Sequence, residues 1–157
     1  LMSVPSTAAT QIETGVFTFD MWLLLNRVGA VQGIFSGRHA SLDNGCVLRI
    51  TAANYLQMFM TAGSSIITTT GISLGLQHIE ASIDASRVGR IFVNGNLLIS
   101  GTVNVGSVSG LPLRIGVEDA ANASPLTGMF PSIRLTRGSV VRHTANFIPP
   151  AFPFPEV

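Results

Sequence analysis

Glu80 and Asp84 are the carboxylates whose spacing most invites a test for acid–base chemistry. Both fall in phase on one extended stretch, where four residues at about 3.3 Å each separate them by about 13 Å. That is too far for either retaining or inverting glycoside hydrolysis, so no catalytic residue is assigned and the chain is expected not to be an enzyme. Asp43, Asn44, Glu118 and Asp119 are hard oxygen ligands of the kind calcium takes, but they lack the dense acidic spacing of a dedicated loop. Asp43-Asn44-Gly45 reads more simply as a turn. His39, His78 and His143 are too scattered for a local metal motif, so no metal and no cofactor are expected. His78 reads as half-buried in its strand, and the other two histidines as loop residues. Cys46, beside Val47 and Leu48, reads as a small core residue; as the only cysteine it excludes an intrachain disulfide. Trp22 and Tyr55 could stack on the apolar face of a hexose and are the candidate glycan-binding residues. The competing reading for Trp22 is cover by a terminal arm or a neighbouring sheet.

Charge narrows the classes further. Charged residues make up 11% of the chain against about 25% in an average soluble domain, and the net charge is +1. Nine arginines are scattered and lysine is absent, so no basic tract can neutralise successive phosphates and nucleic acid is not an expected partner. No run approaches the 18 or so apolar residues of a membrane span, since residues 16–25 are broken by Thr18 and Asp20. Residues 1–15 are rich in Ser, Thr and Ala, without the basic start and apolar run of a secretory signal.

The elements that must position these residues read as strands. Asn94-Gly95 supplies the two positive φ angles of a two-residue hairpin turn, which would set Val93 opposite Asn96, Phe92 opposite Leu97 and Ile91 opposite Leu98. Apolar side chains would then lie on both faces of the ribbon, which must be covered twice, and two packed sheets are the simplest solution. Gly and Pro punctuate the chain every ten residues or so and no helical period is sustained. Strands are expected at 15–26, 32–36, 45–51, 55–61, 65–70, 77–84, 90–93, 96–100, 112–117, 128–136 and 140–142. In the first, Phe17, Phe19, Met21, Leu23 and Leu25 share one face, the core face, while Thr18, Asp20, Trp22 and Leu24 share the other. Residues 118–127 read as an exposed loop. One domain is expected: an N-terminal arm at 1–14, a sandwich at 15–145, and a C-terminal arm at 146–157. That last arm carries Phe147, Phe152 and Phe154 among four prolines and cannot join a central strand.

From Phe17 onward the chain resembles the laminin-G-like, concanavalin A-like jelly-roll family, in the form found among bacteriophage tail and capsid structural proteins. The pieces that carry the likeness are Phe17-Thr18-Phe19-Asp20-Met21-Trp22, Arg90-Ile91-Phe92-Val93-Asn94-Gly95, Ile133-Arg134-Leu135-Thr136-Arg137-Gly138 and the stretch from Val141 to Pro150. The resemblance implies an all-β, two-sheet antiparallel jelly-roll sandwich used in adhesion or assembly, with calcium bound by some members. This chain departs from the family pattern at Leu76-Gln77-His78 and at Phe130-Pro131-Ser132. The expected function is that of a structural virion protein, made in the host cytoplasm, that decorates or cements a capsid or belongs to a tail. Its partners would be copies of itself and neighbouring virion proteins, with Phe147, Phe152 and Phe154 as interface anchors and Arg137 and Arg142 as rim contacts. The alternative is a lectin-like module of a tail fibre that binds a cell-surface glycan through Trp22, Tyr55 and the 118–127 loop.

Overall fold

The computed structural model describes residues 2–5, 16–37, 44–61, 64–104, 112–118, 123–138, 140–152 and 154. Among these residues eleven strands run in chain order: β1 Met2–Val4, β2 Phe17–Leu25, β3 Gln32–Ser36, β4 Asn44–Ile50, β5 Leu56–Thr61, β6 Ser64–Ile67, β7 Gly75–Ile83, β8 Val88–Val93, β9 Asn96–Thr102, β10 Leu113–Ile115 and β11 Gly128–Arg137. They form two antiparallel sheets. Sheet A has the order β1-β10-β3-β4-β5-β6 and sheet B the order β11-β2-β7-β8-β9. No helix among the described residues is long and apolar enough to cross a membrane.

Alternation sorts each strand into an inner and an outer set. From β2 the inner set is Phe17, Phe19, Met21, Leu23 and Leu25, all at most 1% exposed. Cross-strand pairing aligns Phe17, Phe19 and Met21 with Ile83, Ala81 and Ile79 of β7. Cys46, Leu48 and Ile50 of β4, Leu56 and Met58 of β5, and Leu113 and Ile115 of β10 supply the opposing layer. The Phe19 and Phe35 rings meet across the layers with centroids 4.3 Å apart, so the two sheets close over one shared apolar core.

Asn94 (φ 49°) and Gly95 (φ 78°) form the turn joining β8 to β9. Val93 pairs with Asn96 and Phe92 with Leu97 as expected, but Ile91 pairs with Ile99 because a bulge inserts Leu98. Residues 140–142 are not a strand. β11 already runs to Arg137 along β2, and beyond it the chain leaves the sheet plane and crosses its outer face. At the other end Met2–Val4 pairs with β10 and extends sheet A by one edge strand.

Candidate functional site

The two outer faces of the sandwich hold nearly all the polar chemistry. On sheet B, register builds three cross-strand rows: Ser132–Trp22–His78, Arg134–Asp20–Glu80–Phe92–Leu97 and Thr136–Thr18–Ser82–Arg90–Ser100. Facing side chains in such rows lie about 5 Å apart at Cβ, so they interact by necessity. Asp20 Oδ1 lies 2.6 Å from His78 Nε2, while Arg134 Nη2 donates to Asp20 Oδ2 at 2.5 Å. Arg142 Nε stands 3.6 Å from that same oxygen. Glu80 Oε2 lies 2.7 Å from His143 Nδ1.

This face is covered by residues 140–152 and Phe154, which form a strap. Arg142 N–H donates to Thr18 Oγ1 at 3.1 Å, Phe147 N–H to the Gly95 carbonyl at 2.9 Å, and Leu97 N–H to Asn146 Oδ1 at 2.8 Å. A Cβ on Gly95 would lie 1.9 Å from the Phe147 carbonyl oxygen, so only glycine lets the strap seat there. The His143 ring stacks on Phe147 at 3.6 Å, and Phe147 meets Phe92 edge-on at 5.3 Å. Phe152 meets Trp22 edge-on at 5.8 Å, and the Arg134 guanidinium lies 4.4 Å from the centroid of Phe154.

Burial beneath the strap sets the two carboxylates apart. Burial pushes Asp20 up, but hydrogen bonds from His78 and Arg134 outweigh it and hold the carboxyl below its ordinary value. Glu80 is pushed up by burial, which its contact with His143 only partly offsets.

The outer face of sheet A is different. One row runs Ser3–Arg114–Ser36–Val47–Phe59–Ser65, and the next runs Gly33–Arg49–Gln57–Ile67. Tyr55 precedes β5 in phase with Gln57 and Phe59, held by a hydrogen bond from its amide to Thr51 Oγ1. Arg49 is the organiser. Its Nε donates to Gln57 Oε1 at 2.9 Å, its Nη1 pairs with Glu118 Oε1, and its guanidinium sits 5.1 Å from the Phe59 centroid. Glu118 reaches it because the 117–118 backbone crosses directly over Gly33, where an added Cβ would lie 2.0 Å from the Val117 carbonyl carbon. Tyr55, Gln57 and Phe59 are all part-exposed. An arginine, an amide and a carboxylate fixed beside two aromatic rings can bind hydroxyls in pairs and stack on an apolar ring face.

The residues singled out from sequence are distributed between these faces. Trp22 stands on the outer face of sheet B and Tyr55 on that of sheet A, so a single ligand cannot meet both. Phe147 and Phe154 pack against the chain's own sheet B, and Phe152 stays 48% exposed. Arg142 reaches Asp20, while Arg137 ends β11 opposite Phe17. Asp84 caps its own turn, accepting from the Ser86 and Val88 amides and pairing with Arg90, while Glu80 sits under the strap. His78 is fully buried rather than half-buried, because the strap closes over it. Cys46 lies in the core. Glu118 is 9% exposed rather than open loop. His39, Asp43 and Asp119 lie outside the described residues. Sequence reasoning missed the Asp20–Glu80 pairing across β2 and β7. Its one signal was an acidic residue in the outward phase of each of two strands whose inward residues are mostly apolar.

The fold recurs in solved structures. Domain 4 of AbnA, an extracellular arabinanase from Geobacillus stearothermophilus solved with arabinotriose, superposes with a TM-score of 0.67 at 14% identity, over 88% of this chain and 67% of that one. The Ruminococcus gnavus IT-sialidase CBM40 bound to α2,3 sialyllactose gives a TM-score of 0.61 at 14% identity, over 81% of this chain and 83% of that one. A candidate carbohydrate-binding protein from Bacteroides ovatus gives 0.64 at 18% identity, over 90% of this chain; the match spans 41% of that protein's length. No curated protein matches the sequence. A family model described as the concanavalin A-like lectin/glucanases superfamily, of laminin G type, matches residues 3–140. With that share of the sequence matched and the two-sheet architecture in place, the chain belongs to the concanavalin A-like lectin/glucanase superfamily.

Proposed function

We propose that the chain is a non-enzymatic, lectin-like saccharide-binding module whose ligand lies on the outer face of sheet A. One observation carries this reading: Arg49 is tied to Gln57 and Glu118 and set over Phe59, beside Tyr55, on a face that remains part-exposed. Such a cluster is pre-organised, so a bound sugar would order few side chains on arrival. The saccharides in the AbnA-domain and CBM40 structures support the ligand class. Isothermal titration calorimetry with arabinotriose and with sialyllactose tests it. At least one should bind, the Tyr55→Ala/Gln57→Ala double variant should lose about tenfold or more in affinity, and neither sugar should be cleaved. Undiminished binding by a folded double variant would overturn the placement, and cleavage of either sugar would overturn the non-enzymatic reading.

A second reading, a structural virion subunit that joins copies of itself or neighbouring proteins as capsid cement or tail component, keeps one observation in its favour. The strap leaves Val140 76% and Ile148 94% exposed, with Phe152 half out. Native mass followed to low concentration tests self-association. A stable oligomer dissociated by Ile148→Asp would support it, and a monomer at all concentrations would leave the glycan reading as the better account.

A further inference from the structure

Among the described residues, Trp22 Nε1, His78 Nδ1, Glu80 Oε1, Ser82 Oγ and Arg134 Nε are buried without a hydrogen-bond partner, and all five belong to the outer face of sheet B; Arg114 Nη1 on sheet A is the other such atom. Native interiors leave few such atoms, and five on one face ask for a reason. For Trp22, His78 and Arg134 the cause is visible in what covers them. The strap lays phenyl rings across this surface: Phe152 against Trp22, Phe154 and Phe147 against His78, and Phe147 against Phe92. Phenyl rings fill the space but offer neither hydrogen-bond donors nor acceptors. Those same five residues supply donors at Trp22 and Arg134, an acceptor at Glu80, and groups of either kind at His78 and Ser82.

We infer that the outer face of sheet B is a second saccharide site, occupied in this structure by the chain's own strap, and that a neutral oligosaccharide displaces Phe152 and Phe154 to reach it. A sugar ring carries what the phenyl rings lack, hydroxyls that both donate and accept, together with an apolar face able to stack on Trp22. Charge argues for a neutral ligand. Asp20 is already engaged by His78, Arg134 and Arg142, and Glu80 by His143, so among the described residues the cations of this face are each set against a carboxylate rather than left for an acidic sugar. The strap is suited to displacement. Residues 140–152 form no strand, and the Phe154 backbone N–H donates a long hydrogen bond to Ser132 Oγ at 3.3 Å. Farther back, the Phe147–Gly95 and Asn146–Leu97 bonds would stay as the pivot.

This second site takes its ligand class from the lectin-like reading but occupies the opposite face, and the two separate cleanly in experiment. Trp22 is the only tryptophan, so its emission reports on sheet B alone. The full chain and its Phe152→Ala/Phe154→Ala variant, each shown folded by circular dichroism and thermal melt, are titrated with arabinotriose by calorimetry and by tryptophan emission. The expected result is an emission change in the variant with affinity at least tenfold tighter than in the parent, retained when Tyr55→Ala/Gln57→Ala is added. Heat without any emission change, abolished by Tyr55→Ala/Gln57→Ala, would overturn the second site and leave the open face standing. Emission change with heat indifferent to Tyr55→Ala/Gln57→Ala would uphold the second site and remove the first. No heat and no emission change with arabinotriose would overturn the second site, and if sialyllactose also gave none, the lectin-like reading would fall with it.

Discussion

The two outer faces of this sandwich are built from the same residue types and buried to different extents. On sheet B, Asp20, Glu80, His78, His143, Arg134 and Arg142 neutralise one another under a strap, with Asp20, His78 and Glu80 at most 1% exposed. On sheet A, Arg49, Gln57 and Glu118 are joined at the surface beside Tyr55 and Phe59, with the Arg49 side chain 28% exposed. A low charge count therefore does not describe the surface evenly. Several of the few charges are paired and buried beneath the strap on one face, while the part-exposed cluster on the other can meet a ligand with the strap in place.

The sharpest way to break the comparison is at Asp20. Asp20→Ala strips His78 and Arg134 of their shared carboxylate in a site closed to water, and should cost about 3–5 kcal/mol in urea unfolding. A loss below about 1 kcal/mol would mean that the network is solvated and the two faces are alike. Next comes Gly95→Ala. A positive φ and the Phe147 carbonyl together exclude a Cβ, so about 2–3 kcal/mol should be lost. Amide hydrogen exchange across residues 140–152 should rise at the same time, and unchanged exchange there would detach the strap from the turn. His143→Ala leaves Glu80 buried without its partner and should cost about 1–2 kcal/mol.

Acid and base should act on the covered face with opposite signs. Asp20 titrates below its ordinary 3.8, so its contribution is present above that pH and is lost as pH falls through the lower native value. Glu80 titrates above its ordinary 4.5, so its contribution is complete below 4.5 and is lost as pH rises through the higher native value. Urea midpoints followed across pH should lose the acid-side slope in Asp20→Asn and the upper one in Glu80→Gln. Slopes surviving in both variants would assign the pH dependence elsewhere. The smallest effect on stability belongs to the open face. Tyr55→Ala and Gln57→Ala should each shift unfolding by about 0.5 kcal/mol or less, and their consequence should be read in saccharide affinity.

Much of the fold is legible in the sequence because its signals are local. The strict alternation of Phe17 through Leu25 and the Asn94-Gly95 turn are each contained within ten residues, and both stand as read. The bulge at Leu98 is not legible, since nothing in Ile91 or Leu98 marks where the ladder will slip. Tyr55, Gln57 and Phe59 could be put on one face by counting in twos, but the arrival of Glu118 at Arg49 depends on a loop crossing Gly33 from 69 residues away. The sheet B network is less legible still. Asp20 meets His78 across 58 residues and Arg134 across 114, distances that only the strand order β11-β2-β7 resolves. The Phe-rich C-terminus announced that it needed an apolar surface, without indicating that the surface would be the chain's own.

Amide hydrogen exchange of the full chain, with and without saturating arabinotriose or sialyllactose, tests the assignment of the two faces most directly. Slowed exchange is expected in β4 and β5, around Arg49 and residues 55–59, while residues 140–152 keep their exchange or open. Protection confined to the strap, with β4 and β5 unmoved while calorimetry records binding, would contradict that assignment.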